Sequence, residues 1–131
     1  MARRYFTLDE ANALLPRLRA EVAALRDGTR RVEAERARLA ALRKLPKLNG
    51  YAGEAVEIEG RIAGHLRDLS GRMEGLTRLG VEIKDLQHGL IDFPSWREGR
   101  VVYLCWRVDE ERVAHWHELD AGYQGRQPLE E

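Results

Sequence analysis

The chain is poor in the residues that cross-link proteins or anchor them in membranes. It has one cysteine, Cys105, among 131 residues, which excludes an intrachain disulfide and a zinc site built only from thiolates of one chain. No apolar run approaches the length that crosses a bilayer, and the N-terminal arginines are not followed by the apolar segment of a signal peptide. We therefore expect a cytoplasmic protein that does not enter membranes.

A motif specific to one reaction is also missing. Gly122 and Gly125 lie close together, but they do not open a patterned helix and so do not form a phosphate-binding loop. Cys105 falls in the middle of a short strand pattern, without the helix N-terminus that usually lowers the pKa of a reactive thiol. The sequence leaves open whether the protein is an enzyme and favours a noncatalytic role.

Charge cancels overall but is unevenly distributed. Residues 1–50 carry 12 Arg and Lys against 6 Asp and Glu, and residues 51–131 carry 10 against 16, so a net +6 faces a net −6. The two halves can attract each other within one chain or between subunits. This weakens the case for nucleic-acid binding, which needs an excess of basic residues on an exposed face. One hypothesis for the function is still binding of nucleic acid through the arginine-rich first helix, and it predicts an affinity that falls steeply with salt.

The front of the chain has the pattern of a long helix. Thr7 and Glu10 fit a capping box, and Pro16 predicts a bend or break near Leu15 because its ring clashes with the preceding turn. Apolar residues then recur at spacings of three and four, which buries one helical face. These residues are Leu15, Leu18, Val22, Leu25, Val32 and Leu39.

A second helix is predicted from about Ala52 to Leu79, after a loop at Leu45–Tyr51 and before a left-handed stop at Gly80. Its apolar residues are Ile62, Leu66, Leu69, Met73 and Leu76. We expect residues 7–79 to form an antiparallel, coiled-coil-like hairpin through which the protein dimerises. The glycines off this stripe indicate either a groove for another backbone or a loosely held helix: Gly60, Gly64, Gly71 and Gly75.

After Gly80 the apolar period changes to two, which predicts an antiparallel meander of three or four strands over residues 80–131. Turns are predicted at Pro94–Gly99 and Asp109–Glu111. The short second connection sets the register of the last hairpin. The pairs it predicts are Trp106 with Ala114, Leu104 with Trp116, Cys105 with His115, and Tyr103 with His117. The whole chain is then one α+β domain, 1–131.

In this register the two sheet faces differ. The apolar face carries Trp106 and Trp116 and is expected to pack against the helices. The opposite face collects polar side chains, namely Lys84, Asp92, Tyr103, Cys105, Arg107, His115 and His117.

The polar face suggests a site for a divalent metal ion. A strand places His115 and His117 on one side about 6.6 Å apart, a spacing that can share an ion. Cys105, Asp92 or Glu110 could supply a third ligand, although Arg107 in the same patch would repel a cation. The alternative is a pair of histidines held by ion pairs or exposed to solvent.

Motifs along nearly the whole chain resemble the bacterial family called domain of unknown function 2203. They include Phe6–Asn12 with Leu14–Pro16, Lys84–Asp85, Gly89–Pro94, Leu104–Arg107, Trp116–His117, Gly122–Tyr123 and Gly125–Arg126. The resemblance implies no activity. It does imply family motif positions at Asp85, Asp92, Cys105, Trp106, Arg107, Glu110, Trp116, His117 and Arg126. Asp109 and His115 depart from the family pattern, which has a glycine and an aromatic residue there, so His117 would have to carry a metal site with Glu110 or Asp92.

Two further hypotheses follow. The first is a noncatalytic interaction or structural protein whose polar patch engages an unidentified protein, or a small anion at the Arg126 turn. The second is a small metal-binding protein using His117 with Glu110, Asp92 or Cys105. The candidate patch comprises Lys84, Asp85, Asp92, Cys105, Arg107, Glu110, His117 and Arg126.

Overall fold

The computed structural model describes residues 4–46 and 50–129, and it has the predicted α+β architecture. Three helices, α1 (Leu8–Ala13), α2 (Leu15–Arg43) and α3 (Tyr51–Leu79), precede five strands. The described residues divide into two compact units, one of residues 24–73 and one that joins residues up to 23 with those from 74 onward. Over the described ranges, no helix combines the length and apolarity that a bilayer span requires.

The predicted start of the first helix is confirmed. The Glu10 backbone N–H donates to the Thr7 hydroxyl at 3.1 Å, and the Thr7 backbone N–H donates to the Glu10 carboxylate at 2.9 Å. Leu14 separates α1 from α2, so the predicted break near Leu15 is also confirmed. Pro16 falls in the first turn of α2, where a missing N–H costs no helical hydrogen bond.

Residues 24–73 form the part of the helical hairpin nearest the connection between α2 and α3. The α2 side chains of Leu25, Val32 and Leu39 are buried there. Gly28 allows α3 to come close, because a Cβ at this position would lie 2.6 Å from the Leu69 side chain. The α3 stripe is less complete than predicted, since its members Leu66 and Met73 are exposed. Of the predicted loop Leu45–Tyr51, residues 47–49 lie outside the described residues.

Ion pairs join the two helices of this unit. Arg43 of α2 pairs with Glu59 of α3 at 2.8 Å, and Arg61 of α3 pairs with Glu35 of α2 at 2.6 Å. Arg43, Glu59 and Arg61 are partly or largely exposed, so solvent screens both pairs and their contribution to stability is small, although the Glu35 carboxylate itself is only 13% exposed. The two pairs do neutralise arginines that a nucleic-acid surface would need.

The other unit contains a five-stranded antiparallel sheet in the order β1-β2-β3-β4-β5. Its strands are β1 (Glu82–Asp85), β2 (Leu90–Arg97), β3 (Arg100–Arg107), β4 (His115–His117) and β5 (Gln127–Pro128). The sheet has one or two strands more than predicted, because the short β5 returns to pair with β4.

The predicted turn at Pro94–Gly99 is wrong. β2 continues through Pro94 to Arg97, and the turn is the two residues Glu98 and Gly99, both with positive φ. Proline is tolerated inside this strand because its carbonyl accepts from the Phe6 N–H at 2.7 Å, on the side away from β3. The backbone position that lacks an N–H therefore faces the same outer side, so no hydrogen bond between β2 and β3 is lost.

The predicted register of the last hairpin is confirmed for three pairs: Leu104 with Trp116, Cys105 with His115, and Tyr103 with His117. β3 ends at Arg107 and β4 begins at His115, so their connection is longer than the predicted turn Asp109–Glu111, and the predicted pair of Trp106 with Ala114 is not part of the ladder. Trp106 is fully buried, whereas Trp116 is buried beneath the guanidinium groups of its neighbours. Arg97 and Arg100 lie 4.8 and 5.7 Å from the Trp116 ring centre.

Alanine substitutions at two glycines should change the free energy of unfolding in opposite directions. Gly71 lies inside α3, and a Cβ added at this position would have nothing within 4 Å, so Gly71→Ala should raise the free energy of unfolding by up to about 1 kcal/mol. Gly80 has φ +97° and a Cβ there would lie 2.9 Å from Arg4 Cβ, so Gly80→Ala should lower it by about 1–2 kcal/mol. Urea unfolding followed by circular dichroism measures both, and a Gly71→Ala that destabilises would contradict the open surroundings.

Candidate functional site

The polar face of the sheet is covered rather than open to solvent. Asp92, Cys105 and His117 are only 2%, 1% and 2% exposed. The segment after β4 covers them, and its Leu119 and Tyr123 line the cavity beside them. The three central side chains of this face therefore lie inside the molecule.

The sheet register brings these three side chains together. Asp92 of β2 lies directly opposite Cys105 of β3. His117 of β4 lies opposite Tyr103, two residues along β3 from Cys105, so all three side chains point from the same face. One ligand atom from each, a carboxylate oxygen, a thiol sulfur and an imidazole nitrogen, lies within 4.8 Å of the other two.

The His117 ring is held at both nitrogens. Nδ1 lies 2.7 Å from the backbone carbonyl of Glu118, which can only accept, so Nδ1 carries a proton. Nε2 lies 3.0 Å from Asp92 Oδ2. Since a carboxylate and a bare Nε2 would both be acceptors, this hydrogen bond contains one proton that Asp92 and His117 share. The tautomer and the ring orientation are thereby set.

Burial disfavours the charged forms of the two other groups. It raises the pKa of the Asp92 carboxyl, and the neighbouring His117 offsets only part of this rise. It also raises the pKa of the Cys105 thiol to about 12, to which the nearby Asp92 charge adds. Cys105 is therefore a thiol at neutral pH unless a cation replaces its proton, and it is not an activated nucleophile.

A second polar group borders the trio. The Lys84 ammonium donates to the Glu82 carboxylate at 2.9 Å and lies 4.5 Å from the Tyr103 ring centre. The Tyr103 hydroxyl donates to the same carboxylate at 2.9 Å. Burial alone would lower the pKa of Lys84, but its hydrogen bond to Glu82 raises it overall. Lys84 therefore stays positively charged, and its charge acts on Asp92.

A cavity of about 140 Å³ adjoins the three buried side chains. Its walls combine a cationic group, two apolar side chains and an aromatic ring. The residues that line it are Lys84, Leu90, Asp92, Cys105, His117, Leu119, Gly122 and Tyr123.

Glu110 and Arg126 pair with each other at the edge of this group, and Arg126 Nη1 also donates to Cys105 Sγ at 3.9 Å. The Glu110 carboxylate accepts from the Arg107 backbone N–H at 2.8 Å, which closes the turn after β3. Both its oxygens accept from the Arg126 guanidinium. Burial alone would raise the pKa of Glu110, but the hydrogen bonds from Arg126 and from the Arg107 amide lower it overall. The geometry thus makes Glu110 a partner of Arg126, whereas Asp92 joins His117 and Cys105.

The remaining predicted residues lie around the edges. Arg107 donates to Asp109 at 2.6 Å and to the Tyr123 hydroxyl at 3.0 Å. Asp85 is the last residue of β1, and its carboxylate accepts from the His88 backbone N–H of the following turn at 3.0 Å. His115 is half-buried and is not among the three convergent ligands, and its Nδ1 has no hydrogen-bond partner among the described residues.

Three features of the site were not predicted from the sequence. Glu82 lies on the polar face beside Lys84, and the alternation of β1 was a signal that could have placed it there. The Glu118 carbonyl that orients His117 is a backbone group, and residue types carry no signal for it. The cover formed by residues 119–126 has no periodic pattern either.

A comparison with protein families gives one match. The family described as Uncharacterized conserved protein (DUF2203) matches residues 4–129, nearly the whole chain, which confirms the resemblance seen in the motifs. No curated protein and no solved structure matches the chain.

The surroundings of Cys105 predict a thiol that resists alkylation. In metal-free folded protein at pH 8, far below a pKa of about 12, iodoacetamide should modify Cys105 much more slowly than in urea-unfolded protein. Mass spectrometry of timed samples measures the two rates. Equal rates would mean that the thiol is exposed or ionised in the folded protein.

Proposed function

Because the chain belongs to the family of uncharacterized conserved proteins DUF2203, whose description states no activity, we propose its function from the site alone. The protein binds one divalent transition-metal ion, with zinc as the best fit to the donors, through Asp92, Cys105 and His117. The observation that carries this proposal is the convergence of the three ligand atoms within 4.8 Å of one another.

The donor set favours zinc over the hard cations. Thiolate and imidazole are ligands of zinc and similar ions, whereas calcium and magnesium take oxygen ligands. A set of one sulfur, one nitrogen and one oxygen from three strands matches the three-ligand arrangement of many zinc sites. The thiolate and the carboxylate together neutralise the charge of the ion, which lowers the free-energy cost of burying it.

The orientation of His117 supports the same reading. A metal-binding histidine usually donates its other N–H to a carboxylate or a backbone carbonyl, which fixes the tautomer. His117 does this with the Glu118 carbonyl at 2.7 Å, so Nε2 faces Asp92, and a metal ion bound there would replace the proton that the two side chains share. The alternative is a structural Asp–His pair with a packed thiol, which uses the same contacts without an ion.

Metal analysis of tag-free protein tests the proposal. Protein loaded with zinc and freed of excess should retain one ion per chain by mass spectrometry of the metal. His117→Gln should weaken zinc binding more than the roughly 10–100-fold loss that removal of an outer partner causes. His115→Gln is the matched control, because His115 lies two residues away on the same strand outside the trio, and it should bind zinc as the wild type does.

Cobalt provides a readout that needs no substitution. Cobalt-loaded wild-type protein should show a thiolate-to-metal charge-transfer band, and Cys105→Ser should lose it, with circular dichroism confirming that the variant is folded. Wild-type protein that stays empty in excess zinc, or equal binding by His117→Gln and wild type, would leave the structural Asp–His pair as the explanation.

We also propose that the protein self-associates through α3, as the helical pattern predicts. Val56, Leu66 and Met73 are 66%, 42% and 40% exposed, and they fall within about 100° of the helix circumference at 3.6 residues per turn. A second copy is the partner that suits one such stripe, because a two-fold contact pairs a patch with itself. A noncatalytic interaction role and nucleic-acid binding stay predictions that no contact described above favours.

Light scattering after size-exclusion chromatography tests the association. Wild-type protein should elute as a dimer, and Leu66→Gln, at the middle of the stripe, should shift it toward monomer by weakening the apolar contact. Leu45→Gln changes an exposed leucine outside the stripe and should leave the mass unchanged. A wild-type monomer across the accessible concentration range would exclude this interface.

A further inference from the structure

We propose, building on the metal site above, that the ion keeps one coordination position open toward the adjacent cavity and that a small carboxylate occupies it. One carboxylate oxygen binds the ion, and the Lys84 ammonium holds the other. The short apolar end of the ligand lies against Leu90 and Leu119.

The ligand count leaves room for this occupant. Structural zinc sites use four protein ligands, whereas sites with three keep the fourth position for water or a substrate. Within residues 4–46 and 50–129, no fourth histidine, cysteine, aspartate or glutamate joins Asp92, Cys105 and His117. The cavity borders all three of these ligands, so the free position has a space beside it.

The size of the cavity limits the ligand. Its volume is about 140 Å³. An engineered protein cavity of about 150 Å³ accepts benzene, so a space of this size takes about six non-hydrogen atoms. The part of a ligand that this space encloses is therefore about the size of acetate or its nearest homologues, and because the cavity is partly open to solvent, a larger ligand would have to extend out of it.

The polar groups of the wall determine the chemistry. Lys84 uses one N–H for Glu82 and has two more to donate. The Tyr123 hydroxyl accepts from Arg107 at 3.0 Å, which leaves its own O–H as a donor. When Asp92, Cys105 and His117 bind the ion, the other side chains that line the cavity offer hydrogen-bond donors and no acceptor. The cavity therefore suits an oxygen atom that carries negative charge.

The apolar part of the wall narrows the class further. Leu90 and Leu119 line the same cavity, so the end of the ligand away from the charge meets hydrocarbon. A fully solvated inorganic oxyanion would lose hydration on that side without compensation, whereas a methyl or ethyl group gains from burial. A short-chain carboxylate satisfies both ends.

Cobalt-substituted protein tests the proposal, because its visible spectrum reports the fourth ligand. Titration with sodium acetate at constant ionic strength should shift the spectrum saturably. Acetamide has the same size without the charge and should have little effect, and benzoate, whose ring exceeds the enclosed space, should bind more weakly than acetate. Lys84→Met should weaken acetate binding by about tenfold or more while cobalt stoichiometry stays unchanged. Lys44→Met removes an equivalent charge far along the sequence, at the end of α2, and should bind acetate normally.

The outcomes separate this inference from the metal proposal. Cobalt that binds stoichiometrically while acetate and acetamide act alike, or while Lys84→Met binds acetate as tightly as Lys44→Met, would refute the carboxylate site and leave the metal site intact. Protein that takes up no cobalt would refute both.

Discussion

The C-terminal half of this protein buries a row of polar side chains, and its stability depends on giving each of them hydrogen-bond partners. Removing a carboxyl group and an imidazole from water costs several kcal/mol unless their polar atoms find partners. His117 meets this requirement with the Glu118 carbonyl on one nitrogen and Asp92 on the other. Because a slip of one residue would turn these side chains to the opposite face, they help to hold β2, β3 and β4 in register.

The cover over this row is secured by contacts of its own. The ion pair between Arg126 and Glu110 ties the segment after β4 to the turn after β3. The Leu129 N–H donates to the Ala114 carbonyl at 2.8 Å, beside the pairing of β5 with β4. Gly125 is required within this segment, since a Cβ there would lie 2.7 Å from Ala121 Cβ. The buried group is thus enclosed by the segment that follows His117, which contacts with the turn after β3 and with Ala114 hold in place.

Much of the fold follows from local chemistry, which is why the sequence predicts it. The capping box and the break before Pro16 depend on neighbouring residues, and the register of the last hairpin follows the alternation of apolar and polar residues along β3 and β4, although residues 108–114 connect the two strands. The extent of β2 was missed because a proline inside a strand is acceptable only when its outer side meets another group, here Phe6. Without the β2 register, Asp92 and Glu110 were equal candidates beside His117. The structure distinguishes them, because Asp92 lies opposite Cys105 whereas Glu110 lies in a turn.

Pro94 also affects how the sheet meets other molecules. β1 pairs with β2 only as far as Asp92, so the outer side of β2 continues beyond its neighbour. An unprotected strand edge is a template for intermolecular pairing and for aggregation. At Pro94 an incoming strand would find no N–H to accept, and the carbonyl is already bound to Phe6. The residue that most resembles a strand breaker in the sequence therefore shields the sheet from unwanted strand addition during folding and at high concentration.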